Sequence, residues 1–280
     1  MCRLFGMSAG SEPVRATFWL LDAPDSLRVQ SHREPDGTGL GWFEDGTAHL
    51  KKQPLAAYGD AAFAREAREV SSRAFVAHIR FASTGGLELR NTHPFELDGR
   101  LFAHNGVIQG LPALDQHLGE SLAMVQGDTD SERFFALITR EIAAAGGNVG
   151  TGIESACAWV AAELPLLAIN FVLATSDSVW ALRYPDMHPL YLLEREPGKP
   201  LEHASTLGSR VHSSDGAERA LAVIASERMD SDPGWQMLPP GELIEITSSL
   251  EVRRRRILEG PPAHPLTLAD LESKAKSSQS

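Results

Sequence analysis

Two helix-type stretches lie in the middle of this chain with β-type runs on both sides of them, and that order does most to limit the fold. The first opens at Thr129-Asp130-Ser131-Glu132, a capping-box pattern with Thr at the cap and Glu three residues on. It is predicted to run to about Ala145 and to close at Gly146-Gly147. The second is predicted over Gly152–Glu163. Before them, strands are predicted for Cys2–Ser8, Leu40–Glu44, Ala48–Lys52, Ala74–Ala82 and Arg100–Ile108, with Asp45-Gly46 as a hairpin signal. Shorter helices are expected at Val14–Leu21 and Asp60–Val70. After them come Ala168–Thr175, Val179–Arg183, Leu190–Leu193, Ala204–Leu207, a segment Ala217–Ser226, Glu242–Thr247 and Leu250–Leu258. Strands at both ends with helices between them predict an α+β layered domain. Of 280 residues 42% are hydrophobic, ample for a buried core. With no internal repeat or linker, residues 1–260 are expected to form one domain. The stretch 261–280 has too little apolar content to fold alone and is expected to be a flexible tail.

The formal net charge of −11 and pI near 5.4 argue against nucleic acid or an anionic membrane as partner, since both need a basic face. The one dense basic run, Arg253 to Arg256, is read as an exposed strand edge whose charges discourage edge-to-edge pairing. There is no signal sequence and no apolar run of membrane-spanning length, so a cytoplasmic location is expected. Cys2 and Cys157 make no disulfide framework, and Cys157 sits in an apolar helical pattern that marks it as core. The histidines lack His-x-x-x-His spacing and there is no Cys-x-x-Cys, so no metal is expected. Nucleophile-elbow and nucleotide-binding loop motifs are also missing.

Several residues carry chemistry. If Met1 is removed, Cys2 holds a thiol and a free α-amine on one residue, and the amine can accept the thiol's proton near neutral pH. Arg80 stands mid-strand between apolar neighbours, where a permanent charge is costly unless paired. Its fork suits a carboxylate, and a structural ion pair explains it equally well. Asn105-Gly106 interrupts a β pattern: it reads either as an oxyanion hole or as an Asn-Gly hairpin turn. Asp130 lies in the first turn of the Thr129-capped helix, where the dipole favours a carboxylate that could meet an ammonium. His93, in Asn91-Thr-His-Pro94, either lines a pocket or orders its loop; His78 and His104 are read as structural.

The order of Met-Cys, His-x-Arg-Phe-Ala-Ser, Asn-Thr-His-Pro, His-Asn-Gly-Val-Ile and Asp-Thr-Asp-Ser-Glu, within about 130 residues, resembles the class II glutamine amidotransferases. Met-Cys-Arg-Leu-Phe-Gly and Pro-Asp-Gly-Thr-Gly-Leu-Gly-Trp-Phe resemble its small stand-alone members, including the branch that removes γ-glutamate in ergothioneine biosynthesis. The resemblance implies an N-terminal-nucleophile hydrolase with a four-layer αββα sandwich. It implies Cys2 as nucleophile with its freed amine as base, Asn105 and Gly106 as oxyanion hole, Arg80 for the α-carboxylate and Asp130 for the α-ammonium. Phe81, Ser83 and His93 join the substrate-contacting positions. Larger relatives often carry Trp and His where this chain has Phe81 and Thr84, in the segment that closes over glutamine. The implied reaction is acyl transfer from a γ-glutamyl amide through a Cys2 thioester, with no metal or organic cofactor. The alternatives are a glutaminase supplying ammonia to a separate synthase, and a non-catalytic binding module on the same scaffold. Homo-oligomerisation is left open.

Overall fold

A computed structural model describes residues 2–34, 36–81, 86–198, 201–204, 210–213, 219–271, 276 and 279, with no side chains described for 201–218. Fourteen of the described strands build the two large sheets. They are β1 (Arg3–Ser8), β2 (Gly37–Glu44), β3 (Thr47–Gln53), β4 (Ala74–Arg80), β5 (Phe95–Leu97), β6 (Arg100–Ile108), β7 (Pro165–Ala174) and β8 (Ser178–Leu182). β9 (Tyr191–Arg195), β10 (Leu221–Ala225), β11 (Gln236–Met237), β12 (Glu242–Thr247), β13 (Val252–Arg256) and β14 (His264–Pro265) complete them. The helices of eight residues or more are α1 (Ala61–Glu69), α2 (Leu111–Leu118), α3 (Asp130–Ala144) and α4 (Val149–Glu163).

Side chains alternate across a strand, so a strand buried on both faces must feed two cores. β1 and β4 do so. Phe5, Met7, Phe75, Ala77 and Ile79 join one cluster with Trp19, Leu27 and Phe63 of the short helices and α1. Leu4 and Val76, on the opposite face, join a second cluster with Leu101, Val172, Ile224 and Ile244. That second cluster lies between two sheets. One has the order β11-β9-β10-β1-β4-β2-β3 and the other β13-β12-β8-β7-β6-β5, with β14 added parallel to β7. The outer face of the second sheet is covered by α3 and α4 through Phe102, Phe134, Phe135, Ile153, Cys157 and Phe171. The layers therefore run α-β-β-α, and the expected four-layer sandwich is observed. None of the described helices is long and apolar enough to cross a membrane.

Three local expectations change. Val14–Leu21 is not a helix: Val14–Arg15 pairs with Ser71–Ser72, and Phe18–Asp22 forms a wide helical turn. Phe18, Trp19, Leu20 and Leu21 are all buried, so the run lacks the polar stripe of a surface helix. α2 was not foreseen; it follows Gly110 in a left-handed conformation, has Pro112 in its first turn, and buries Leu114 and Leu118. Beyond Gly260, β14 and the side chains Leu266, Leu268 and Leu271 pack onto Val107 and Leu167, so residues 264–271 include built structure where a flexible tail was expected. The Arg253–Arg256 run does form a sheet edge, exposed and paired with Glu242, Glu245, Glu251 and Glu154.

Candidate functional site

The site grows out of the register of β1 on β4. Leu4 stands opposite His78 and Arg3 opposite Ile79, so one step further Cys2 comes alongside Arg80. Cys2, His78 and Arg80 then share the inter-sheet face, where Val76 and Leu4 are apolar. The Cys2 Sγ is held by the backbone of Phe81, accepting from its N–H at 3.2 Å and lying 3.3 Å from its carbonyl oxygen. Burial pushes the thiol up to about 11; the Phe81 N–H and the Arg80 charge oppose this, and the Glu34 carboxylate adds to it. Such a thiol is protonated at neutral pH and needs a base at hand to react.

Asn105 and Gly106 lie inside the continuous strand β6, paired with Asn170 and Ile169, so the hairpin alternative is excluded. Asn105 reaches across the inter-sheet layer and donates to the Cys2 carbonyl oxygen at 2.7 Å. Its Oδ1 is buried with no partner among the described residues. Gly106 has φ 154°, and a Cβ there would lie 1.8 Å from the Ala168 carbonyl oxygen, so only glycine fits this close strand contact.

Asp130 caps the other side. Its Oδ2 accepts from the Ile108 N–H at 2.9 Å, which ties the start of α3 to the end of β6. Thr129 caps α3 by accepting from the Glu132 N–H, as predicted. The Glu132 carboxylate, instead of closing the box, accepts from Gln126 and Gly127 N–H and orders the loop before the helix. Arg80 is 3% exposed, donates to the Gly86 carbonyl oxygen at 3.0 Å, and feels the charges of Cys2, Asp36 and Asp130.

The Asn91–Pro94 loop is seated by glycines. On β2, Gly37, Gly39 and Gly41 turn the same face to the inter-sheet layer. A Cβ on Gly39 would stand 2.0 Å from the His93 carbonyl oxygen, and one on Gly41 3.2 Å from Pro94. Lys52 fixes the loop from outside, donating to the Thr92 carbonyl oxygen at 2.8 Å and lying over the Phe95 ring; burial lowers its ammonium to about 8. His93 is thereby set against His78, with ring centroids 4.3 Å apart and the rings tilted by 38°. The two His93 ring nitrogens are buried and without a hydrogen-bond partner among the described residues, a cost of roughly 1–3 kcal/mol for each unsatisfied group, while a hydrogen bond with the His104 backbone offsets part of the burial of His78. Burial holds both rings neutral, His78 at about 3, and the Arg80 charge acts in the same direction. His104, on the same strand as Asn105, is satisfied: Nε2 faces the Ala168 carbonyl oxygen at 3.3 Å and so donates, leaving Nδ1 to accept from Ser131 at 2.9 Å.

One small pocket, with about 20 Å³ of free volume, is lined by Cys2, Arg80, Phe81, His93, Asn105, Gly106 and Asp130. Every predicted site residue is thus brought together except Ser83, which lies outside the described residues together with Thr84. The same pocket is lined by residues that sequence reasoning left out, His78, His104, Thr129, Ser131 and Gln279. The first two carried a signal in being polar positions within apolar strands. Gln279 carried none. A larger cavity of about 550 Å³ lies between the start of α4 and Arg253–Arg255, whose guanidinium groups are already paired with glutamates. It contains no cysteine, whereas the small pocket joins the predicted site residues.

Residues 1–255 match the family model for glutamine amidotransferases class-II. The γ-glutamyl-hercynylcysteine sulfoxide hydrolase of Mycobacterium tuberculosis is 27% identical over 88% of this chain and 93% of its own length. The YafJ protein of Escherichia coli is 28% identical over 86% of this chain and 96% of its own. Among solved structures, a glutamine aminotransferase class-II domain protein from Silicibacter pomeroyi superposes with TM-score 0.60 at 19% identity, covering 92% of this chain and all of that one. The glutamine phosphoribosylpyrophosphate amidotransferase of Bacillus subtilis gives TM-score 0.63 at 19% identity, and this chain spans 50% of its length. The family model over residues 1–255 and relatives named as hydrolases show that the chain belongs to the class-II glutamine amidotransferases and is an enzyme.

Proposed function

We propose that the enzyme hydrolyses a γ-glutamyl amide by way of a thioester on Cys2. The observation that carries this reading is one pocket that joins Cys2 from the first sheet, Asn105 and Gly106 from the second, and Asp130 from α3. With Met1 removed, the freed α-amine of Cys2 takes the thiol proton, and the sulfur attacks the γ-carbonyl carbon. Burial favours the neutral thiol, so proton transfer and attack are coupled, and no standing thiolate is needed. The tetrahedral oxyanion is held by the Gly106 N–H and the second Asn105 amide hydrogen; the first is engaged by the Cys2 carbonyl. The ammonium then gives its proton to the departing nitrogen as the C–N bond breaks. Water, deprotonated by the same amine, cleaves the thioester and releases glutamate. Arg80 takes the substrate α-carboxylate and Asp130 the α-ammonium, with Phe81, Ser83 and His93 around the head group.

Within this class, we favour a γ-glutamyl conjugate of a small metabolite over glutamine. The support is that two relatives of nearly equal length are named hydrolases of such a conjugate, and that the solved structure whose title names an acceptor, phosphoribosylpyrophosphate, is about twice as long; the relatives of nearly equal length with transferase names specify no acceptor. Ammonia supply to a synthase partner is the rival. Residues 1–260 form the catalytic domain in this reading, and the enzyme works in the cytoplasm. The test is glutamate release by purified protein from glutamine and from a panel of γ-glutamyl conjugates. Conjugates should show the higher kcat/KM. Turnover of glutamine that rises only when a synthase is added would replace this reading with the rival one.

A further inference from the structure

Gln279 comes to the pocket from beyond β14, and the proposed chemistry gives it no task. It lies in a stretch of Ser, Lys, Ala and Gln with too little apolar content to bury itself, yet it is 3% exposed and lines the pocket with Cys2, Arg80, Asn105 and Asp130. Glutamine is a mostly exposed residue type, so such burial needs a place that receives it.

The fold supplies an anchor before Gln279 and a seat for it. The anchor is β14 on Pro165–Leu166 of β7, followed by Leu266, Leu268 and Leu271 packed on Val107 and Leu167. Thr267 and Asp270 close a capping box within it. Val107 belongs to β6, the strand of Asn105 and Gly106, so the anchor stands beside the oxyanion donors. A group tethered by the short stretch from Leu271 to Gln279 is present at an effective concentration on the order of millimolar. The seat is His188, whose buried imidazole shares a side-chain hydrogen bond with Gln279. The His188 carbonyl oxygen accepts from Asn170 Nδ2 at 3.1 Å and from Arg183 Nε at 2.8 Å. Asn170 is the register partner of Asn105, so one strand pair holds both the seat and the catalytic donors.

Size and chemistry then decide what this residue does. With Gln279 in place the pocket keeps about 20 Å³, room for roughly one water. A glutamyl group is several times larger, so it and Gln279 exclude each other. The Gln279 side chain ends in a primary carboxamide, the same group that free glutamine presents. Its α-nitrogen and α-carbonyl are tied up in peptide bonds, so it brings no ammonium to Asp130 and no carboxylate to Arg80. It is an imitation of the amide end alone, and a true substrate outbids it.

We propose that Gln279 is a built-in competitor of substrate: its carboxamide fills the pocket beside the Cys2 sulfur and must leave before a γ-glutamyl amide can enter. This rests on reading the pocket as a γ-glutamyl site. Only the unseated fraction binds substrate, so the apparent KM is the intrinsic one divided by that fraction, while kcat is untouched.

The test compares wild type with Gln279→Ala, both as full chains, by two readouts. One is the rate at which iodoacetamide alkylates Cys2, located by peptide mass mapping. The other is steady-state kinetics on a γ-glutamyl conjugate. In Gln279→Ala, Cys2 should label roughly three- to tenfold faster and KM should fall by the same factor with kcat unchanged, the worth of one neutral hydrogen bond. Cys157, buried among α3, α4 and the second sheet, is the internal control and should label no faster. Equal acceleration at Cys157 would mean a loosened fold and overturn the proposal. Unchanged labelling and KM would overturn it and leave the γ-glutamyl reading intact. A raised KM would make Gln279 a substrate contact and overturn it as well. Faster labelling of Cys2 alone, in a protein that hydrolyses no γ-glutamyl amide, would uphold the seated carboxamide and overturn the γ-glutamyl reading.

Discussion

Arg80 shows how a residue identity becomes a chemical role. A guanidinium fixed on a buried strand between Ile79 and Phe81 is expensive to bury, and it lies among Cys2, Asp36 and Asp130 in a pocket with room for about one water. Arg80→Ala should raise KM about ten- to a hundredfold, as expected for losing a charge-assisted contact, and lower kcat much less. Steady-state kinetics on a γ-glutamyl substrate check this; a fall in kcat at unchanged KM would place Arg80 in the chemical step instead. Legibility at this scale depended on chemical oddity. Arg80, Asn105 and Asp130 stood out because each is a polar residue at a position that the local pattern does not require to be polar. His78 was equally odd, but with no ligand in view a buried histidine reads as structure. Its place beside His93 and Arg80 appears only once the neighbours are known.

Among the elements, the Asn91–Pro94 loop depends on β2 as well as on the hydrogen bonds of its own Asn91 and Thr92. Gly39→Ala would drive a methyl group into the His93 carbonyl oxygen, so the loop must move or the sheet must open. The expected result is a loss of about 1–3 kcal/mol in denaturant unfolding, together with a raised KM from displaced His93. Gly59→Ala, with nothing within 4 Å, serves as the control and should leave both unchanged. The helix start is a second such joint. Glu132→Ala strands the Gln126 and Gly127 N–H groups, and should cost roughly 1–3 kcal/mol in the same unfolding assay. The sequence made the strand and helix identities readable, because period and capping are local. It did not reveal that Gly37, Gly39 and Gly41 form a docking face, since their partners lie more than fifty residues away in the Asn91–Pro94 loop. The wide turn at Phe18–Asp22 escaped for a related reason: burial on every side erases the periodic signal.

For the whole molecule, the buried histidines couple the fold to pH. His78, His93, His104 and His188 all have folded pKa values below the ordinary 6.5, each mainly through burial. The unfolded chain therefore binds protons in a range where the folded chain does not. Stability should be fully present above about pH 6.5 and should fall as pH drops toward 4 and then 3, the values to which His188 and His78 are lowered. The slope is about 1.4 kcal/mol per pH unit for each imidazole that is fully charged in the unfolded state alone. Glu34, whose carboxyl burial raises, works in the opposite sense, so the comparison that isolates the effect is wild type against His78→Leu. Melting curves from pH 7 downward should be less steep in pH for the variant; equal slopes would contradict the neutral burial of His78.

The same scale joins the two sheets, α3 and Gln279 of the tail at one pocket. Such convergence was foreseen for residues 2 to 130 through family motifs. It could not be foreseen for the tail, which has no periodicity to announce where it goes. Whether Cys2 carries the acyl group can be read from the covalent state of the protein. Turnover of a γ-glutamyl conjugate is quenched in acid within milliseconds, and the intact mass is measured and mapped. The expected species is a chain lacking Met1 that has gained the mass of one glutamyl group on the peptide beginning at Cys2, with no adduct and no turnover in Cys2→Ala. A fully active chain that retains Met1, or a glutamyl adduct on any other residue, would contradict acyl transfer through Cys2.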